Sequence, residues 1–202
     1  MMSPMIERLN EDTRLHHARA GADVDALFRP NVTSTQYMLF LMRAYGFEAP
    51  LDAAVAMTPR LEVVLDPRPR ARAGLLAQDL MALGVRPAEV TDLPMCLAIP
   101  QFRGAAEALG WLYVVERTTL AHDLLRRHLA TRLPLEMDSA AAYLSSYAGV
   151  VGKRWQELGA ALDHVSEHPA IADRVVASAE EAFRCRQSWS TQDAASLARS
   201  VG

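Results

Sequence analysis

The chain has 202 residues, half of them apolar, with 21 basic and 24 acidic side chains and a formal net charge of -3. That apolar content suffices for one sizeable core, while well-mixed charges without a basic stripe argue against a nucleic-acid surface. Cys96 and Cys185 lack zinc-type or CxxC spacing and imply no disulfide framework; the apolar runs are too short for a membrane span and the start MMSPMIERLNED lacks signal features, so a cytoplasmic protein is expected.

Ala and Leu are abundant and apolar residues recur at intervals of three and four, so the expected fold class is all-α, a multi-helix bundle with any functional residues facing inward. A first helix spans about Pro4 to Ala20 and stops at Gly21, a residue type suited to the left-handed conformation after a helix end. The second opens at Thr33, where Thr33 and Gln36 have the form of a capping box, and closes at Gly46. Pro50 to Met57 gives a short helix ended by Thr58-Pro59; beyond the Pro-rich DPRPR, a helix from about Arg70 to Leu83 ends at Gly84, and RPAEVTDLP reads as a linker. The longest helical segment is expected from about Gly104 to Leu133, cut off by Pro134. Asp138 or Ser139 starts another, GVVG at 149–152 marks a bend, and a helix follows from about Lys153 to Val165. Pro169 sits in the first turn of a last long helix reaching about Trp189. A single domain over residues 1–190 with a C-terminal tail at 191–202 is the expected organisation.

Chemistry-bearing candidates are few. On the first helix, His16 falls near the centre of the apolar side set by Met5, Ile6, Leu9, Thr13 and Ala20, and His17 on its flank; periodicity does not choose between them. One or both also fit ordinary structural roles, a hydrogen-bonded inner histidine and a surface one. No pair of Glu-x-x-His motifs accompanies them, which disfavours a di-iron carboxylate bundle, whereas a ligand set of one histidine suits a heme. In GWLYVVERTTLAHDLLRRHL, residues 110–129, the apolar side is expected to comprise Leu120, Ala121, Leu124, Leu125 and Leu129, with Arg117 and His128 on it and His122 at its edge. An unpaired buried guanidinium is costly, so Arg117 is expected to meet an anion of the protein or of a ligand. Lys153 and Arg154, beside two glycines at a helix start, suit carboxylates or form a solvated basic turn.

Successive segments resemble the heme oxygenase family, in particular its bacterial, phytochrome-associated branch. LNEDTRLHH is similar to the family's L-x-x-x-T-x-x-x-H; YMLFLMRAYGFEAPLDAA resembles its second helix; GWLYVVERTTLAHDLLRRHL resembles G-x-L-Y-V-x-E-G-S-T-L-G-G; and YAGVVGKRWQELGAALD resembles the late G-x-x-x-G-x-R-W. The resemblance covers roughly residues 6 to 189 and implies a heme oxygenase-like helical fold clamping heme b between a proximal helix and a bent distal helix. It further implies His17 as ligand to the heme iron, with Arg14, Lys153 or Arg154 near the propionates. Oxidative cleavage to biliverdin, CO and iron with electrons from a redox protein, and a link to a bacterial phytochrome, follow from the same resemblance. Where relatives carry distal glycines, which let backbone approach the heme, this chain has Arg117, Ala121 and His122; Gly21 stands where relatives often carry an acid. The alternatives are a six-coordinate, non-catalytic heme protein with His122 in the sixth position, or a heme-free helical binding protein.

Overall fold

Ser3 starts the first helix: its side chain accepts a hydrogen bond from Ile6 N at 3.2 Å, and Pro4 occupies the first turn, where a missing N–H costs nothing. The computed structural model describes residues 3–16 and 22–200, with side chains over 3–16 and 24–191. Helix α1 spans Pro4–Asp12 and buries Met5, Ile6 and Leu9. Continuous helix to Ala20 was the expectation. Instead α1 yields at Thr13, whose hydroxyl donates back to Leu9 O at 2.6 Å while His16 N reaches Thr13 O in an i to i+3 bond. Such back-bonding commonly bends a helix.

Helix α2 is Ala22–Leu27 and α3 is Ser34–Ala56. The capping box forms as expected, with Gln36 N donating to Thr33 Oγ1 and Thr33 N to Gln36 Oε1. Gly46 does not end α3. A Cβ there would strike Pro94 O and the Trp189 ring, so the glycine permits close approach of a connector and the last helix. Pro50 also lies inside α3. Its absent N–H leaves the carbonyl four residues earlier, Gly46 O, without its helical donor, and Cys96 N takes that place at 2.8 Å.

Short 3-10 turns at Leu61–Val63 and Arg68–Arg70 lead to α4, Ala73–Ala82, whose start is capped by Asp52 accepting from Arg72 N and Ala73 N. Gly84 follows at φ +93°, as its C-terminal position requires. The expected linker contains a helix, α5 (Pro87–Thr91), because Pro87 opens it and the Glu89 carboxylate accepts from Arg86 N. The remaining helices are α6 (Ala105–Thr119), α7 (His122–Ala130), α8 (Pro134–Ser139), α9 (Ala142–Ser145), α10 (Val151–Val165) and α11 (Pro169–Ser200). Pro134 thus opens a helix where a later start near Asp138 was expected, and α11 outruns Trp189. Among the described residues there is no strand.

Every residue of α6 from Ala108 to Glu116 is buried, as befits a helix enclosed by α11, α10 and α1. Gly110 lets α11 approach: a Cβ there would lie 2.6 Å from Val175 O. Gly159 does the same for α1, at 2.8 Å from Ser3 Cβ. A second apolar cluster gathers Leu27, Tyr37, Leu41, Leu76, Leu80, Leu125, Leu129 and Tyr143. Helix α3 contributes to both clusters, which places Glu48 in the interior.

Candidate functional site

The segment expected to run unbroken from Gly104 to Leu133 bends at residues 120–121. Two consecutive threonines bring this about: Thr118 and Thr119 hydroxyls donate to Val115 O and Glu116 O, and Leu120 N and Ala121 N then bond to carbonyls three residues back. The tightened turn rotates α7 relative to α6. Leu120 and Leu124 consequently face solvent, 51% and 60% exposed, and the buried face of α7 is His122, Leu125 and Leu129. His122, expected at the edge of the apolar side, is fully part of the buried face.

His122 is 4% exposed. It packs on Tyr143 with ring centroids 4.8 Å apart, and its Nδ1 is buried with no hydrogen-bond partner among the described residues. Burial, and after it the positive charges of Arg72 and Arg186, pull its pKa from 6.5 down to about 3. The imidazole is neutral and offers a lone pair. It lines a cavity of about 30 Å³ at the bend, room for a water or two. Val24 of α2, Arg43 and Phe47 of α3, Thr118 of α6 and Arg186 and Trp189 of α11 complete most of the wall. Trp189 Nε1 donates to Arg43 O at 3.0 Å, clamping α11 onto α3 beside the cavity.

Behind His122 lies a buried charged layer. Arg72, 2% exposed, donates through Nε to Glu48 Oε2 at 3.0 Å, and its guanidinium sits 5.8 and 5.6 Å from the ring centroids of Tyr143 and Tyr147. Tyr143 OH donates to Glu48 Oε1 at 2.5 Å, and Tyr147 OH to Glu116 Oε1 at 2.5 Å. Arg70 completes the layer, ion-paired with Glu116 at 3.0 Å and donating to Arg154 O. Burial and the Glu48 charge push the Tyr143 phenol well above its ordinary range, so it remains a donor. Buried pairs of this kind add little net stability but are costly to break. Here they hold the ring on which His122 rests.

The bend thus brings a neutral imidazole together with Arg43 and Arg186 at one cavity. The family model for heme oxygenase matches residues 3–192. The chain belongs to the heme oxygenase family. Crystal structures of the NO- and CO-bound heme oxygenase from Neisseria meningitidis share its fold, with a TM-score of 0.71 and 23% identity, covering 92% of this chain and 89% of that one. Among curated protein sequences none matches.

Within this heme oxygenase fold the residues singled out from the sequence are only partly brought together. His17 and Gly21 lie outside the described residues. Of the described residues on either side, the His16 ring stacks on Phe183 of α11, centroids 5.7 Å apart, and Val24 is in the cavity wall. Ala121 is half-buried in the turn. Among the described residues Arg117 meets no anion. It is half-buried and donates to the neutral Asn10 Oδ1 at 2.9 Å, an acceptor shared with Tyr113 OH, so it bridges α6 to α1 instead of entering the cavity wall. His128, expected on the apolar side, is half-buried against Phe28. Arg14 is exposed. Lys153 and Arg154 turn to Glu157 on their own helix, at 4.0 and 3.2 Å, and neither is among the described cavity-lining residues. The inward cations are Arg43 and Arg186. Nothing local in YMLFLMRAYG or FRCRQSW marks them, since each departs from apolar spacing only as a solvated arginine would. Arg70, which ends the Pro-rich DPRPR, and Arg72 just beyond it likewise gave no sign of burial.

Proposed function

We propose that this chain binds heme through His17 and cleaves it oxidatively to biliverdin, CO and iron. The observation that carries this reading is the heme oxygenase family match over residues 3–192; the small cavity walled by Val24, Thr118, His122 and Arg186 is where imidazole and guanidinium groups meet. The donor chemistry suits heme. Neutral imidazole is an iron ligand and Arg43 and Arg186 are carboxylate partners. The cavity's volume of about 30 Å³ is far below the ~300–1,000 Å³ of ligand pockets, so admission of heme requires the surrounding helices to move apart. Heme would supply the oxygen chemistry, with electrons from a redox protein. The chain's own residues orient it, and the bend brings Thr118 and His122 to the cavity.

His122 favours a second reading. A buried, neutral imidazole in the cavity wall, whose Nδ1 lacks a partner among the described residues, is suited to fill the sixth coordination position. The result is a six-coordinate, non-catalytic heme protein. Because Arg117 turns to Asn10, His122 is the side chain of the divergent distal positions that obstructs oxygen in this reading.

Hemin titration decides among these readings. A Soret band lost in His17→Ala supports heme binding; no band in the wild type overturns both readings and leaves a heme-free helical binding protein. Reductant and O2 then divide them. Loss of the Soret band with growth of biliverdin absorption supports cleavage, whereas a persistent low-spin spectrum that becomes five-coordinate in His122→Ala supports the second reading. His122→Gly is expected to raise turnover and Arg117→Gly to leave it unchanged.

A further inference from the structure

The chain contains two cysteines, 89 positions apart, and the fold brings their sulfurs to 3.5 Å. Cys96 lies in the connector between α5 and α6, 5% exposed; Cys185 lies on α11, half-buried. Both are held from behind. Cys96 N is bonded to Gly46 O, the carbonyl released by Pro50, and Trp189, one turn beyond Cys185, is bonded to Arg43 O on the same helix α3. Gly46 also lets the connector and the Trp189 ring lie against α3 without a Cβ between them. Closing from this contact to a bonded separation of about 2.05 Å needs ~1.5 Å of sulfur movement, within reach of side-chain rotation.

We propose that Cys96 and Cys185 form a reversible dithiol–disulfide site, oxidised by hydrogen peroxide. Cys96 thiolate attacks peroxide: an S–O bond forms, the O–O bond breaks, hydroxide leaves, and the sulfur gives up two electrons as a sulfenic acid. Cys185 sulfur then displaces that oxygen: the S–S bond forms, the S–O bond breaks, and water departs. The Cys185 thiol proton leaves in that water, and the proton Cys96 lost on ionising neutralises the hydroxide released earlier, so two thiols and one peroxide become one disulfide and two waters. Contact with Cys185 draws the Cys96 thiol down to about 7 against the effect of burial, while the same contact pushes Cys185 up. In the proposed order Cys96 attacks and Cys185 resolves, and the site of the dimedone adduct in Cys185→Ser tests that order. The bond would tie the connector to α11 beside Arg186 and Trp189, both in the wall of the His122 cavity.

The test uses the reduced wild-type chain, freed of reductant and titrated with hydrogen peroxide without heme. Intact mass is expected to fall by two hydrogen atoms, thiol reagent on the unfolded chain to find no free thiol where it found two before, and peptide mapping to join Cys96 to Cys185 within one chain. Dithiothreitol restores the starting mass. Cys185→Ser, altering the half-buried partner, is expected to replace the cross-link by a dimedone adduct at Cys96. Retention of both thiols under peroxide that oxidises free cysteine, uptake of oxygen by the wild type without a cross-link, or joining of two chains would each overturn the proposal.

Discussion

Replacing His122 with glutamine tests the burial of a titratable group at the bend. The unfolded chain binds a proton there with the ordinary pKa of 6.5, and the folded chain refuses it until about 3, chiefly because burial disfavours the charged ring and secondarily because Arg72 and Arg186 repel it. Below 6.5 the unfolded state therefore binds more protons than the native state. Stability from this residue is complete above that value and is lost as pH falls toward the folded pKa. Each pH unit is worth about 1.36 kcal/mol, so about two units below 6.5 the wild type should have lost roughly 2.7 kcal/mol that His122→Gln keeps. Urea denaturation of both proteins at neutral pH and at about two pH units below 6.5 measures this, since subtraction of the variant removes every other titration unaffected by the substitution. Parallel stability curves for the two proteins would refute the assignment of a buried neutral imidazole.

Asp52 should act with the opposite sign. Burial, then Glu48, lifts its carboxyl from 3.8 to about 6, so the native state holds a proton more firmly and this contribution is lost as pH rises between those values. Asp52→Asn retains a carbonyl acceptor for Arg72 N and Ala73 N, and its stability relative to wild type is expected to grow by up to about 3 kcal/mol across that window in pH-resolved denaturation. Arg72→Met strands the buried Glu48 carboxylate and should cost about 3–5 kcal/mol by urea midpoint, with part of the loss recovered when Glu48→Gln is added. Among the glycines, Gly110→Ala drives a methyl to 2.6 Å from Val175 O; the overpacking, typically ~1–3 kcal/mol, outweighs a helix-propensity gain of up to about 1 kcal/mol and lowers Tm. Gly152→Ala on α10 meets nothing within 4 Å and should raise it.

Several elements were legible because their signals are local. The Thr33–Gln36 capping box, Pro169 in the first turn of the last helix and Gly84 after α4 depend on residues that contact their own neighbours in sequence. The motif from Gly110 to Leu129 also marked the segment that carries the cavity. Its phase was misjudged: a 3.6-residue repeat extended through residues 120–121 puts Leu120 and Leu124 inside, whereas the threonine-bonded turn sends them outward and His122 inward. Gly46 and Pro50 read as helix ends for a related reason. Their roles are to admit Pro94 and Trp189 and to hand a carbonyl to Cys96, and these partners lie far along the chain.

The order of apolar and polar residues, with its capping and family motifs, was enough to determine an all-α chain of the heme oxygenase family. Tertiary structure alone decided that Arg117 would bridge to Asn10, that Lys153 and Arg154 would turn to Glu157, and that His122, Arg43 and Arg186 would meet at one cavity. The physical reason is that helix formation is written in neighbours three and four residues apart, while the burial of a charge or an imidazole is settled by whichever helix arrives against it. No spacing within one segment records that arrival.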